Sequence, residues 1–299
     1  MIALLQEQKQ AIIHRAVTRG LPAEASAQAG LDPTVPLKTS GIPWLGDIRK
    51  HWSFSRLKFE ASQIVDCLHA TPRYSQDAEF PAVRTADIEP GKVRLPQAKK
   101  VSSSQFALWT SRLAPKEGDI LYSREGERYG IVALVPADVR LCISQRMMVL
   151  RIKPTQCSEF IMWQLNCPHV YGQAAADIIG ATAPHENVER IKNYRIALPP
   201  INEQRAISKH IRASSVGFEA AITRLEREIS LLREYRTRLV ADVVTGKLDV
   251  RPAVRQLPEF VAKAAPELAA NAMLCAVNQA AYLLKRQLES QGDTFVESG

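Results

Sequence analysis

Residues 198–250 read LPPINEQRAISKHIRASSVGFEAAITRLEREISLLREYRTRLVADVVTGKLDV, and this stretch decides the architecture of the chain. Between Glu203 and Val244 it contains no proline, and its one glycine is Gly217. The segment is therefore predicted to form one helix of about 42 residues, roughly 63 Å long at 1.5 Å per residue. A helix of this length is not a normal element of a globular domain, and its apolar residues indicate what it packs against.

Residues of this segment recur in two rows with a spacing of seven. The d row consists of Ile211, Phe218, Leu225, Leu232 and Leu239, and the a row of Ser215, Ile222, Ile229, Arg236 and Val243. β-Branched residues at a and leucine at d are typical of a two-stranded coiled coil. The apolar members of both rows form the predicted coiled-coil and partner interface. The alternative is an amphipathic helix that lies on a globular core.

The start of the chain repeats the end of this helix at an offset of 227 residues. Residues 4–7 (LLQE) correspond to residues 231–234 (LLRE), and residues 4–21 match at six of 18 positions. The heptad phase is carried over too, since Leu5 falls on Leu232. Such a repeat indicates one helical unit used twice, with a different domain between the copies.

The length and composition allow one domain of about 150 residues with helical appendages. The chain has 299 residues, and 46% of them are hydrophobic. No apolar run approaches the ~18 residues of a membrane helix, so no membrane span is predicted. The N-terminus lacks a basic region and a signal-peptide core, and we therefore expect a cytoplasmic protein. The net charge of +8 favours a polyanionic partner.

The predicted fold class is α+β, with five segments along the chain. They are a short N-terminal helix (1–20), a linker rich in Ala, Gly and Pro (21–40), a β-rich domain (41–200), the long coiled-coil helix (201–250) and a helical C-terminal extension (251–299). Within the β-rich domain, short strands are predicted from Ser55 to Lys153, followed by a helix from Ser158 and a last strand at 194–198. Trp44 and Trp52 are interpreted as a packed start of the domain, with DNA contact as the alternative.

Most of the net charge lies in the β-rich domain. Residues 81–153 hold 13 basic and seven acidic side chains. Arginine suits guanine and glutamine suits adenine in the major groove, whereas lysine and serine suit phosphates. The candidate DNA-binding residues are Arg84, Lys99, Lys100, Ser123, Arg124, Arg128, Tyr129, Gln145 and Arg146. The loop Arg124–Gly130 is the first candidate for base readout, and a solvated surface is the alternative for each residue alone.

The sequence predicts no catalysis, no metal and no cofactor for this chain. It contains neither an Asn/Asp-Pro-Pro-Tyr/Phe methyltransferase motif nor a Gly-x-x-x-x-Gly-Lys-Ser/Thr phosphate loop. None of the six histidines is paired at metal-ligand spacing. The five cysteines lack Cys-x-x-Cys spacing, so they are interpreted as small core residues.

Six motifs, in this order, carry a resemblance to a known family. They are GIPWLGDI with HW (41–52), GDIL (118–121), ISQ (143–145), GATA (180–183), LPPINEQ (198–204) and TGKLDVR (245–251). Over residues 1–251 the chain resembles the specificity (S) subunit of type I restriction–modification enzymes. The resemblance implies a target recognition domain followed by a long helix, in which each domain reads one half of a split DNA site.

The resemblance also implies the partners. They are double-stranded DNA, a methyltransferase subunit that binds S-adenosylmethionine, and a restriction (nuclease and translocase) subunit, which together supply the catalysis. The chain departs from the family in holding one recognition domain, so it looks like a C-terminal half, and in carrying residues 252–299. We expect its helix seam to be covered by a second copy, by another specificity half or by the tail helix. The alternative function is a truncated interaction or decoy protein that binds partner subunits without reading DNA.

Overall fold

A computed structural model describes residues 1–42, 45–126, 128–167, 170, 173 and 187–249. The chain forms two compact units, Met1–Ile222 and a second that begins at Thr223. The helices are α1 (Ile2–Arg19), α2 (Ala23–Gln28), α3 (Leu57–Glu60), α4 (Ser103–Trp109), α5 (Ser158–Leu165), α6 (Val188–Lys192) and α7 (Ile201–Val244). None of the helices in this described part has the length and apolar character that a membrane crossing requires.

Thirteen short strands are found among the described residues, which confirms the predicted α+β class. They are β1 (Leu37–Thr39), β2 (Asp47–Arg49), β3 (Ser53–Arg56), β4 (Ala61–Asp66), β5 (Phe80–Val83), β6 (Ile88–Glu89), β7 (Lys92–Val93), β8 (Lys100–Val101), β9 (Ile120–Ser123), β10 (Val132–Leu134), β11 (Cys142–Ile143), β12 (Met147–Ile152) and β13 (Arg195–Leu198). The order β10-β9-β12-β4 gives an antiparallel central sheet, and β11-β5-β8 gives a second one in which β11 and β5 run parallel.

The central sheet separates two apolar cores. Side chains alternate between the faces of a strand, so Ile120 and Tyr122 of β9 enter one core while Leu121 enters the other. Strand β12 behaves alike, with Met148 in the first core and Val149 in the second. Because both faces are covered, these strands are continuous apolar runs in the sequence rather than alternating ones.

Two buried amides of the α5 region bind backbone groups at the outer edges of strands β10 and β13. Asn166 accepts from the Val132 backbone N–H (3.1 Å) and donates to its carbonyl (2.9 Å). Gln164 accepts from the Ala197 N–H (3.0 Å) and donates to the Ala197 carbonyl. Since unpaired buried backbone groups are costly, these two side chains fix the helix against β10 and β13.

The segment predicted as a linker (21–40) contains α2 and β1, and β1 pairs with β2. Arg49 of β2 fixes this segment to the end of α1. Its buried guanidinium donates to the carbonyls of Arg19 (2.9 Å), Asp32 (3.0 Å) and Leu21 (2.8 Å). It also lies 3.8 Å from the buried carboxylate of Glu203 at the start of α7.

Helix α7 is continuous from Ile201 to Val244, as predicted. In the first unit, Ile207, Ile211 and Ser215 are buried, and Lys9 of α1 forms an ion pair of 2.7 Å with Glu219. In the second unit, the described part of α7 exposes the apolar side chains of Ile229, Leu231, Leu232, Tyr235, Val240 and Val244, which are spread over more than one face of the helix. The predicted C-terminal extension (251–299) lies outside the described residues.

Candidate nucleic-acid interface

The parallel pair β5–β11 brings together residues that are far apart in sequence. Its register pairs Ala82 with Cys142 and Val83 with Ile143, and the Ser144 N–H donates to the Val83 carbonyl at 2.8 Å. Neighbouring parallel strands end at the same edge of a sheet. Arg84, which follows β5, therefore lies opposite Ser144, the residue before Gln145.

The segment before β5 attaches two lysines to this edge. The Tyr74 hydroxyl lies 2.8 Å from the Ser144 hydroxyl, and the Lys99 ammonium lies 4.9 Å from the centre of the Tyr74 ring. The backbone N–H of Ser75 donates to the Lys100 carbonyl at 3.0 Å. Lys99 and Lys100 are both exposed. We call Arg84, Lys99, Lys100, Gln145 and Arg146 the basic edge.

The turn between β11 and β12 presents the two most informative side chains. Gln145 is exposed, and its Oε1 accepts from the Thr71 hydroxyl at 3.2 Å. Arg146 has a φ of 70°, which a residue with a Cβ rarely adopts, and 57% of its side chain is exposed. Such conformations cluster at functional sites because the surrounding structure has to hold them in place.

The loop that was the first candidate for base readout, Arg124–Gly130, directs its arginines into the domain. Arg124 is buried, and its Nη2 donates to Glu125 at 2.5 Å. Arg128 donates to the Thr85 carbonyl at 3.0 Å and to the Ile88 carbonyl. The structure thus uses both guanidinium groups for internal hydrogen bonds, and a role in base readout stays a prediction.

The other predicted residues differ in how much they present to solvent. The Ser123 side chain is buried in β9, and the Tyr129 hydroxyl lies 2.8 Å from that of Tyr194. Arg84 binds both carboxylate oxygens of Asp87, at 2.8 and 2.7 Å. These hydrogen bonds raise the Arg84 pKa, which secures its positive charge at the basic edge.

An open polar cavity of about 660 Å³ adjoins the Arg124 loop. It is lined by Asp66, His69, Arg124, Asn187, Val188 and Arg190. Among the described residues, no group of three or more His, Cys, Asp or Glu side chains is placed to hold a metal ion. The chemistry gathered here is that of charged and amide hydrogen-bonding groups, which suits recognition of a polar, anionic surface.

Sequence reasoning missed Thr71, Tyr74 and Glu125. Each of the three contacts at least one predicted residue. Thr71 donates to Gln145, and the Tyr74 ring lies beneath Lys99 while its hydroxyl contacts Ser144. Glu125 lies between Arg124 and Arg146. One signal was present in the sequence. Residues 71–74 read TPRY, where an aromatic side chain follows a basic one, as is typical of nucleic-acid surfaces.

Comparison with known proteins identifies part of this domain. A family model described as "Type I restriction modification DNA specificity domain" matches residues 90–215, which is fewer than half of the residues of the chain but includes most of the basic edge. This match confirms the resemblance that the sequence motifs indicated. No curated protein matches the chain.

The solved structures that are similar to the chain include the following three. The HsdS subunit from Thermoanaerobacter tengcongensis is 17% identical, with a TM-score of 0.43, over 75% of this chain and 47% of that one. The type I restriction–modification S subunit from M. genitalium is 10% identical, with a TM-score of 0.48, over 79% and 53%. A chain from a study of assembly of the type I R-M system is 18% identical, with a TM-score of 0.45, over 77% and 51%. The chain thus spans about half the length of these proteins.

Proposed function

We infer from the membership of residues 90–215 in the type I restriction modification DNA specificity family that this chain recognises a short DNA sequence for a restriction–modification system. With one recognition domain, it reads one half-site. It contributes no catalytic group of its own, and it directs a methyltransferase subunit and a nuclease subunit to the target.

The basic edge is the observation that carries this proposal. Lys99, Lys100, Gln145 and Arg146 are all exposed, Lys99 lies over the Tyr74 ring and Gln145 accepts from the Thr71 hydroxyl. Lysine contacts with phosphates supply affinity that does not depend on sequence. Arginine and glutamine, each bidentate to one base, supply about 1–3 kcal/mol of discrimination per base pair.

The remaining predicted residues act as support for the basic edge in this proposal. Asp87 fixes Arg84 at the end of β5, while Arg124, Arg128, Ser123 and Tyr129 shape the neighbouring loop. Recognition of a base edge requires donors at fixed positions, so the side chains that support them must also be fixed.

We propose that the predicted seam of α7, in which Ile229 and Leu232 are exposed, is the docking surface for partner subunits. Apolar side chains such as Leu232, which is 60% exposed, lie among charged neighbours such as Arg233 and Glu234, the composition of a coiled-coil face. The methyltransferase subunit, which supplies S-adenosylmethionine, is the proposed partner on this surface. A second copy of the chain or another specificity half is the alternative occupant.

Selection from random double-stranded DNA, with sequencing of the bound fraction, tests the proposal. The purified chain is used alone and with a type I methyltransferase subunit. We expect enrichment of a short half-site, or of a palindrome if two copies pair. Gln145→Ala and Arg146→Ala should each relax one position of the motif. Lys153→Ala is the matched control, since Lys153 is an exposed lysine at the opposite end of β12.

A second candidate function is interaction without DNA reading, which the exposed apolar side chains of α7 favour. Under that alternative the chain is a decoy that binds a methyltransferase or a full-length specificity subunit without reading DNA. Stable methyltransferase binding with no enriched motif in either condition would support it and would overturn the DNA-reading proposal.

A further inference from the structure

We propose that Glu125 is a positioning residue that sets specificity at one base pair by orienting Arg146. This inference rests on the proposed DNA-reading function and adds to it the origin of discrimination at one position. Glu125 lies between two arginines. Its Oε1 accepts from Arg124 Nη2 at 2.5 Å, and its Oε2 lies 3.6 Å from Arg146 Nε.

Arg124 is the anchor of this arrangement. Its side chain is 4% exposed, its Nε lies 3.4 Å from the Asp66 carboxylate, and its backbone N–H donates to the Arg146 carbonyl at 2.9 Å. A buried arginine paired with two carboxylates has little freedom to move. The buried Arg124 therefore fixes the position of Glu125, and Glu125 in turn restricts the orientation of the exposed Arg146.

The contact with Arg146 leaves the base-reading end of its side chain available. The closest approach of Glu125 is to Nε, at 3.6 Å, so the end-on pair of Nη donors of the guanidinium stays available for the O6 and N7 acceptors of guanine. A Cβ at Gly126 would lie 4.0 Å from Arg146 Nη1, so the loop leaves room beside this group. Gly126 itself has a φ of 82°, a conformation that glycine adopts without strain.

The charge of Glu125 also selects what Arg146 binds. A carboxylate beside the guanidinium repels the full negative charge of a phosphate group more strongly than the partial charges on the uncharged edge of a guanine. An exposed arginine without such a neighbour samples many rotamers and loses that freedom on binding, whereas one already oriented loses less. Both effects turn Arg146 from a general phosphate contact into a base-reading residue.

The test compares Glu125→Gln, Arg146→Ala and the double variant on the selected site and on its single-base variants. Glu125→Gln keeps the shape and removes the charge. We expect it to lower discrimination roughly fivefold or more at the one base pair where Arg146→Ala also lowers it. Discrimination elsewhere should persist, and the double variant should discriminate no worse than Arg146→Ala. Glu125→Asp, which restores the charge, should recover part of the effect.

Glu117→Gln is the matched control, because it removes one exposed carboxylate near the opposite end of β9. An unchanged base profile in Glu125→Gln overturns the inference while the proposed function stands. Equal weakening on every sequence also overturns it, since that is the result of a merely structural role. If the wild-type chain selects no sequence at all, the proposed function and this inference fail together.

Discussion

Arg49 is predicted to be the residue that fixes the N-terminal helix and the following segment to the recognition domain. The perturbation is Arg49→Met, which keeps an unbranched apolar stem and removes every donor. In the structure these donors serve three backbone carbonyls and the Ser26 hydroxyl, at distances from 2.8 to 3.2 Å, and the guanidinium is 6% exposed. All of these acceptors would lose a charged partner at once.

The expected loss follows from burial rather than from the number of hydrogen bonds. One hydrogen bond to a charged group contributes about 1.5–3 kcal/mol, but bonds that share one side chain do not add. The figure of about 3–5 kcal/mol for breaking a buried ion pair does not apply in full, because the Glu203 carboxylate keeps His51 Nε2 at 2.6 Å. We therefore expect Arg49→Met to lower the free energy of unfolding by about 2–4 kcal/mol, chiefly because four buried or half-buried acceptors lose their donor.

The assay is equilibrium unfolding in urea, followed by the fluorescence of Trp52 and Trp163, which are buried in the same unit. Arg56→Met is the control, since Arg56 is exposed and makes a hydrogen bond of 3.2 Å to Asn193, so its loss should stay within about 0.5 kcal/mol. A double-mutant cycle that combines Arg49→Met with Glu203→Gln should give an interaction free energy above about 0.5 kcal/mol. A loss in Arg49→Met no larger than that in Arg56→Met would refute the reasoning.

Three further predictions concern stability and thiol chemistry. Asn166→Leu leaves both backbone groups of Val132 without their side-chain partner and should lower the free energy of unfolding by about 1–3 kcal/mol, measured in urea. Gly217→Ala, at an open helical position, should raise it by about 0.5–1 kcal/mol, and no gain would contradict the continuous helix. Burial raises the pKa of Cys142 and of Cys167 to about 12. At pH 8 neither thiol should react with iodoacetamide before unfolding, as mapped by mass spectrometry, and native stability should fall as the pH rises above about 8.5, where the unfolded thiols ionise.

The elements that the sequence predicted well are those with a strong local pattern. The long helix follows from a seven-residue period without proline, and Ile201–Val244 is one helix. The buried strands β9 and β12 follow from unbroken apolar runs. The segment 21–40 lacks such a local pattern. Its ordered structure depends instead on Arg49, whose acceptors lie up to 30 positions away in the sequence.

The candidate site could be predicted in composition but not in arrangement. The sequence alone does not distinguish three arginines of one basic segment, Arg124, Arg128 and Arg146. In the structure their surroundings differ. Arg128 donates to the backbone carbonyl of Thr85, and Arg124 lies beside the Asp66 carboxylate. Arg146, which has a left-handed backbone conformation, is exposed. No local pattern tells which arginine has an internal acceptor, because that depends on long-range pairing of β5 with β11 and of β9 with β12.

The most direct test of a DNA-reading basic edge is the salt dependence of binding for the wild-type chain, Lys99→Ala and Arg146→Ala on the selected site and a scrambled site. A lysine that contacts phosphate should, when removed, weaken both sites alike and reduce the slope of log K against log[salt] by about one. Arg146→Ala should instead bring the two affinities closer together and leave the Lys99-dependent slope in place. If both variants kept the wild-type slope and the wild-type ratio between the sites, DNA would not be read at the basic edge.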